Sequence, residues 1–170
     1  MEKIGFGGGC HWCTEAVFQS LIGVGKVEQG FIAPRKFQNE HSEAVIVHYD
    51  RRLIPLKDLI EIHLHTHKST SSHSMRDKYR SAIYAFDTSL YIESKALLEV
   101  LQSEFENQLI TEVFHFGAFR PSDSSFHNYY YKNPGKPFCE TYISPKLKLL
   151  LDKFSALVDQ KVPSALREST

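Results

Sequence analysis

The sequence of 170 residues lacks the features that mark several large classes of protein. Lysine and arginine total 20, and aspartate and glutamate also total 20, so neither charge is in excess. Nucleic-acid-binding proteins usually carry a basic excess or a basic stripe. No apolar run approaches the ~20 residues of a membrane-spanning helix, and the first residues lack the pattern of a signal peptide. We therefore expect a cytoplasmic protein that binds neither nucleic acid nor membranes.

Cysteine is scarce as well, with only Cys10, Cys13 and Cys139 in the chain. An odd number in a cytoplasmic protein favours reactive thiols or a metal site over a framework of structural disulfides. Repeats, low-complexity tracts and linkers are absent too. We therefore expect one domain over residues 1–158, followed by a polar C-terminal tail over residues 159–170.

The spacing of apolar residues predicts an alternation of strands and helices. Strands are expected over residues 3–7, 24–33, 43–49, 79–86 and 110–116. Helices are expected between the glycines at 7–9 and Gly23, over residues 55–65 and 90–105, and from 145 onwards. The order begins β-α-β-β-α-β and continues with a helix and a strand. This order predicts an α+β fold, a ferredoxin-like α/β sandwich with a mostly antiparallel sheet and helices packed on one face.

A cysteine follows three glycines where a helix is expected to begin, in the segment Gly-Gly-Gly-Cys-His-Trp-Cys of residues 7–13. Glycines allow a sharp turn and a close approach to the backbone, and the start of a helix stabilises a thiolate. Cys10 is therefore a candidate nucleophile. Cys13 lies one helical turn away and is a candidate disulfide partner, while Trp12 places an apolar wall beside the sulfur. The alternative is that both cysteines are small apolar core residues.

A metal site is the other use that Cys-x-x-Cys suggests. The chain has no second Cys-x-x-Cys or spaced Cys/His pair to complete a set of zinc ligands. His63 and His67 would share one face of a helix, with His65 on another, but a solvated histidine cluster at a helix end is the favoured interpretation. We expect no metal and no other cofactor.

Five blocks of sequence together resemble the A-type peptide methionine sulfoxide reductases. The Cys-x-x-Cys segment resembles the family's Gly-Cys-Phe-Trp-Cys/Gly signature. His-Ser-Glu-Ala-Val at 41–45 and Lys-Tyr-Arg-Ser at 78–81 resemble its acidic segment and its Thr-Gln-Tyr-Arg-Ser strand. The remaining two blocks follow in the family's order. One is Asn-Tyr-Tyr-Tyr-Lys-Asn-Pro at 128–134, and the other is Pro-Phe-Cys at 137–139 with Pro-Lys-Leu at 145–147.

This resemblance implies an enzyme that reduces the S epimer of methionine sulfoxide, free or in peptides and proteins, as in protein repair during oxidative stress. By position, Cys10 is the nucleophile and Glu43 is the general acid that protonates the sulfoxide oxygen. Tyr79 helps to hold that oxygen, and Trp12 forms the pocket for the substrate's S-methyl group together with His11. Without the resemblance, Glu43 could be a solvated glutamate at the end of a strand. Tyr79 could equally be an ordinary tyrosine in the interior of a strand.

The same resemblance implies a sulfenic acid on Cys10, which a second thiol converts to a disulfide for thioredoxin or another dithiol to reduce. Cys13 and Cys139 are the candidates for this resolving thiol, and we favour Cys13. The chain departs from the family at His11, where phenylalanine is usual, and has no counterpart of a second oxygen-binding tyrosine. Two alternatives remain: a general Cys-x-x-Cys thiol–disulfide oxidoreductase, and a binding module without catalysis or with weak activity.

Overall fold

The computed structural model of the chain describes residues 1–168. It has five strands, β1 (Glu2–Gly7), β2 (Val24–Pro34), β3 (Ser42–Tyr49), β4 (Ala82–Ala85) and β5 (Glu112–Pro121). Its helices are α1 (His11–Gln19), α2 (Leu56–His65), α3 (Thr88–Leu101), α4 (Tyr129–Lys132), α5 (Ser144–Lys153) and α6 (Ser164–Glu168). None of these helices is long and apolar enough to cross a membrane. The last two residues of the tail predicted over 159–170 lie outside the described residues.

The strands form a closed barrel in the order β1-β3-β2-β5-β4, in which β4 pairs again with β1. Four of the pairings are antiparallel, whereas β4 and β5 run parallel. The prediction of a ferredoxin-like sandwich, with an open sheet and helices on one face, is therefore wrong. The physical reason is β5, which pairs with β2 along one side and with β4 along the other and so removes both edges of the sheet.

Apolar side chains fill the barrel on the inside and also cover it on the outside. The smaller cluster contains Ile32, Ala44, Ile46, Ala82 and Tyr84, which alternate along their strands with members of the larger cluster beneath the helices. A Cβ atom at Gly5 would lie 2.9 Å from both Ile32 Cδ1 and Tyr84 Cβ. The narrow interior therefore requires glycine at this position.

Helix α1 lies against β1, β2 and β3, directly after the turn that leaves β1. It buries Ala16, Val17 and Phe18, and the Phe18 ring stacks on Phe6 of β1 with 4.7 Å between the ring centroids. At the turn, Gly8 has φ of +156°, and a Cβ atom there would lie 2.4 Å from Cδ2 of His67. Glycine thus lets the chain pass close to His67, just after α2, and reach Cys10, the residue before α1.

His63, in α2, and His67, just after it, do not form a solvated cluster, in contrast to the prediction. His63 is 2% exposed, and its Nε2 donates to the carbonyl oxygen of Gly7 at 2.7 Å. His67 bonds the carbonyl oxygen of His63 through Nδ1 and the hydroxyl of Ser81 through Nε2. Burial lowers the pKa of His63 to about 4. These neutral rings therefore support the glycine turn next to Cys10.

Candidate active site

Cys10 is the residue immediately before α1, and its carbonyl oxygen accepts from the amides of Cys13 and Thr14 at 3.0 and 3.1 Å. Its thiol lies beside the backbone amides of Trp12 and Cys13. A hydrogen bond from the Cys13 thiol lowers the pKa of Cys10, and the backbone N–H groups of Trp12 and Cys13 lower it further against the opposing effect of burial. The helix start therefore favours a thiolate on Cys10.

Cys13 has the opposite electrostatic environment. It is 5% exposed, and its pKa is raised by the hydrogen bond to Cys10 and by burial. Cys139 lies in a π-helical turn over Cys139–Ile143 and is fully buried, which raises its pKa as well. All three are free cysteines. Within this set, Cys10 is the thiol that loses its proton first.

Glu43 lies at the start of β3 and is buried, with 7% of its surface exposed. Its Oε1 accepts from the backbone amide of His11 at 3.1 Å, one residue away from Cys10. The His11 ring also faces this carboxylate, with 3.5 Å between Nε2 and Oε1, while its Nδ1 donates to the carbonyl oxygen of Gly30 at 2.7 Å. Lys78 approaches the other carboxylate oxygen, with Nζ 3.7 Å from Oε2. The carboxylate is therefore held beside the nucleophile and away from solvent.

Tyr79 lines a cavity of about 830 Å³ that also contains Cys10 and Cys13. Phe138, Tyr142 and Lys146 form another part of its wall. Glu43, His11 and Trp12 are not among the described residues that line it. The structure therefore brings Cys10 and Tyr79 to one cavity and places Glu43 behind the Cys10 turn.

Trp12 is covered by aromatic side chains from the segment that follows β5. Its indole stacks on Tyr129 with 4.2 Å between ring centroids and on Phe126 with 5.3 Å, and it meets Phe138 edge to face at 5.1 Å. Its buried Nε1 has no hydrogen-bond partner among the described residues. Trp12 is thus part of an aromatic cluster that reaches the Cys10 cavity through Phe138.

Glu15 holds this aromatic wall in place, a role that the sequence reasoning missed. Its buried carboxylate accepts from the amides of Asn128 and Tyr129, at 3.0 and 3.2 Å, and from the Gln29 side chain at 3.0 Å. Burial raises the pKa of Glu15, and the three donors oppose that shift. Asn128 has φ of +59°, so the chain turns sharply where Glu15 binds it. A glutamate on the apolar face of α1 was the available signal.

The sequence reasoning also missed Lys146, which lines the cavity, and Arg76, which supports the backbone next to it. The Arg76 guanidinium donates to the carbonyl oxygens of Gly8, Ser71, Lys68 and Tyr79 and so ties the segment before β4 to the glycine turn. Lys146, in the Pro-Lys-Leu block, donates through Nζ to the carbonyl oxygen of Thr66. The available signal was the presence of a lysine in one of the five blocks.

One group of side chains has the composition of a metal site. Ligand atoms of Glu61, His65 and Glu104 all lie within 4.8 Å of one another. His65 Nε2 is 2.8 Å from Glu104 Oε1, and burial together with the neighbouring Glu104 raises the pKa of Glu61 to about 7. The raised pKa favours a proton on Glu61, and this proton and the His65 contact both reduce the repulsion between the two carboxylates.

Comparison with known proteins agrees with the resemblance seen in the sequence. The family model described as peptide methionine sulfoxide reductase matches residues 2–157. A protein of Acinetobacter baumannii strain SDF, named peptide methionine sulfoxide reductase MsrA, is 30% identical over 172 residues, covering 93% of this chain and 98% of that protein.

Two solved structures share the fold. Methionine sulfoxide reductase A of Corynebacterium diphtheriae has a TM-score of 0.69 at 22% identity, covering 78% of this chain and 75% of that chain. Mxr1 from Saccharomyces cerevisiae in complex with Trx2 has a TM-score of 0.57 at 18% identity, covering 74% of this chain and 84% of that chain. With the family match over nearly the whole sequence, the chain belongs to the peptide methionine sulfoxide reductase family, and the predicted membership is confirmed.

Proposed function

We propose that this chain reduces methionine S-sulfoxide to methionine with Cys10 as nucleophile, Glu43 as general acid and Tyr79 as a ligand of the sulfoxide oxygen. The observation that carries the proposal is the environment of the Cys10 thiol. Its pKa is lowered, and the buried carboxylate of Glu43 accepts from the amide of His11, the next residue. Family membership supplies the substrate class.

The first half of the reaction transfers one oxygen atom. The Cys10 thiolate attacks the sulfoxide sulfur, and a proton from Glu43 neutralises the oxygen as it gains charge. Oxygen then passes to Cys10, so that methionine leaves and the cysteine becomes a sulfenic acid. The Tyr79 hydroxyl stabilises the oxygen from the cavity side. Trp12 supports the pocket for the substrate's methyl group through Phe138 on the cavity wall, and His11 acts through its contact with Glu43. The cysteine sulfur is oxidised by two electrons and the sulfoxide sulfur is reduced by two.

The second half regenerates the thiol. We assign Cys13 as the resolving thiol because it already hydrogen-bonds Cys10. Its attack on the sulfenic acid forms the Cys10–Cys13 disulfide and releases water, and a dithiol then reduces that disulfide. The Trx2 complex of Mxr1 supports a thioredoxin-like partner. Cys139 is the alternative resolving thiol and requires its buried turn to open. A thioredoxin-type reductant also fits the predicted cytoplasmic location.

Turnover of the two sulfoxide epimers tests the proposal. With thioredoxin or dithiothreitol as reductant, we expect the wild type to consume the S epimer and leave the R epimer, and Cys10→Ser to consume neither. Glu43→Gln removes the acid while keeping the side chain's size, so kcat should fall by about 100-fold with little change in KM. Absence of S-epimer consumption by the wild type would refute the assignment.

The direct contact between Cys13 and Cys10 also favours a second candidate, general thiol–disulfide exchange. Such an activity needs no acid for a sulfoxide oxygen. It predicts reduction of mixed disulfides at the same rate in the wild type and in Glu43→Gln. Measuring both activities on this pair of proteins separates the two functions.

A further inference from the structure

The cavity beside Cys10 is much larger than the reaction needs. Its volume of about 830 Å³ lies in the range of pockets that bind drug-sized ligands. A methionine sulfoxide side chain fills only part of such a space, so the neighbouring residues of a peptide substrate can enter it as well. Met75 and Tyr142 are 48% and 57% exposed and offer apolar contacts on its wall.

The charged side chains that line this cavity are of one sign, although the whole chain is neutral. Lys68 and Lys146 line it, whereas no aspartate or glutamate is among the described lining residues. Neither lysine has a carboxylate within 4.0 Å among the described side chains. Burial lowers the pKa of Lys146, the nearby Cys13 and Cys10 thiols oppose that shift, and Lys68 adds a smaller lowering. Both lysines line the same cavity.

The other basic side chains at the cavity are bound by protein groups or have a lowered pKa. His73 lines the cavity, its Nδ1 accepts from the amide of Met75, and the pKa of its ring is lowered. Lys78 pairs with Glu43, and the Arg76 guanidinium is bound by four carbonyl oxygens. His65 contacts Glu104, and burial lowers the pKa of His67 well below its ordinary value, so that ring stays neutral. Lys68 and Lys146 are therefore the two lining cations without a carboxylate partner among the described residues. Lys146 also donates to the carbonyl oxygen of Thr66 and lies near the Cys10 thiol.

We propose that this cavity binds the carboxylate side chain of an aspartate or glutamate that neighbours methionine sulfoxide in a peptide, with Lys68 and Lys146 as its cationic contacts. The proposal rests on the proposed function and adds a substrate preference to it. A carboxylate between two ammonium groups removes their repulsion and gains two charge-assisted contacts. Because Cys10 lines the same cavity, the acidic residue and the reacting sulfoxide can be bound together.

Peptides with blocked termini test the preference, since only the side chain next to methionine S-sulfoxide then varies. We expect kcat/KM for a glutamate neighbour to exceed that for glutamine by about fivefold, with lysine lowest. The gap should arise in KM and should shrink as salt is raised. Lys68→Ala and Lys146→Met should each bring the glutamate-to-glutamine ratio towards one. Lys148→Met, on the same helix as Lys146 but outside the cavity lining, should keep the ratio.

Binding to the Cys10→Ser protein keeps the preference testable without catalysis. Its affinity for the glutamate peptide should exceed that for the glutamine peptide by the same factor, even if no turnover occurs and the proposed function fails. Lys68 is exposed, so its variant remains informative if Lys146→Met does not fold. Equal affinity for the two peptides, or a ratio that survives both lysine substitutions, would overturn the proposal. The proposal would also be overturned by a Lys68-dependent preference seen only between N-acetylmethionine sulfoxide and its amide. Lys68 would then bind the α-carboxylate of the substrate and not a neighbouring acidic side chain.

Discussion

Cys10 and Cys13 are of the same residue type and lie three positions apart, yet their pKa values are shifted in opposite directions. The Cys13 thiol donates to Cys10, which lowers the pKa of Cys10 and raises that of Cys13. In the proposed reaction, Cys10 attacks as a thiolate and Cys13 stays protonated until the sulfenic acid has formed. This division of roles is a property of the pair.

Removing the Cys13 thiol should therefore make Cys10 less acidic. We expect Cys13→Ala to raise the pKa of Cys10, because the largest stabilising contact of the thiolate is lost while the backbone donors remain. The pH dependence of alkylation at Cys10, followed by mass spectrometry of its peptide, measures the shift. Cys139→Ala is the matched control and should leave the midpoint in place. An unchanged midpoint in Cys13→Ala would contradict the hydrogen bond.

His63 should link stability to pH. Its pKa is about 4 in the folded protein and 6.5 in its ordinary state, so between these values the unfolded chain binds more protons. The free energy of unfolding should thus decrease by up to about 3 kcal/mol as pH falls from 6.5 to 4. Urea unfolding of the wild type and His63→Gln across this range measures the contribution as a difference in slope.

The comparison of the wild type with His63→Gln is needed because Glu61 affects stability in the opposite direction as pH changes. Its pKa is raised to about 7, so its protonated form stabilises the folded state at low pH and this stability is lost as pH rises. Glu61 is present in both proteins, and its effect cancels between them. Equal slopes for the wild type and His63→Gln would show that His63 titrates normally.

The sequence makes the environment of Cys10 predictable because its causes are local. Glycines, a helix start and a cysteine one turn away all lie within residues 7–13. The contact between the His11 amide and Glu43 joins residues 32 positions apart and has no local signal. Only the resemblance to a family suggested Glu43, and nothing in the spacing indicated that Lys78 would approach it.

At the scale of elements, the apolar pattern located most strands and helices to within a few residues. The helix expected over 55–65 is α2 at Leu56–His65, and the strand expected over 43–49 is β3 at Ser42–Tyr49. The predicted bounds are less accurate where contacts with other parts of the chain determine the end of a strand or helix. The strand expected over 79–86 is shortened to Ala82–Ala85, because Arg76 and Ser42 hold the residues before it in a turn.

The aromatic segment after β5 should depend on α1 through one carboxylate. Glu15→Ala leaves the amides of Asn128 and Tyr129 without their acceptor, and we expect a loss of about 3 kcal/mol in the free energy of unfolding. Trp12 is the only tryptophan and stacks on Tyr129, so its fluorescence should change as well.

Chemical denaturation followed by Trp12 emission measures both effects of Glu15→Ala. Glu106→Ala, at an exposed position, is the control and should stay within about 0.5 kcal/mol of the wild type. If Glu15→Ala unfolded like the wild type with unchanged emission, another contact would have to hold the segment.

At the scale of the whole molecule, barrel closure was beyond the reach of the sequence pattern. Alternation along β5 identifies a strand but does not show that it pairs with both β2 and β4. A signal did exist in Gly5, Ala44 and Ala82, small residues on facing strands that leave room for a narrow interior. They become interpretable only once the strands are known to enclose a common space.

Enlarging the barrel interior should destabilise the protein. We expect Gly5→Ala to lower the free energy of unfolding by about 1–3 kcal/mol, because the new methyl group would meet Ile32 and Tyr84 at 2.9 Å. Gly135→Ala is the control, since a Cβ atom there has nothing within 4 Å. Thermal or urea unfolding compares the two, and equal stability would argue against a closed, filled interior.

The position of the reactive thiol near the beginning of the chain has a consequence for synthesis. Helix α1 has nine residues, too few to be stable without the strands it packs on. Those strands close into a barrel only when β5, ending at Pro121, has been made. Cys10 is made before β2, β3, β4 and β5, so the helix start that lowers its pKa is fixed only after β5 has been made. The lowered pKa of Cys10 is therefore a property of the closed barrel, and the thiol of the nascent chain keeps its ordinary value.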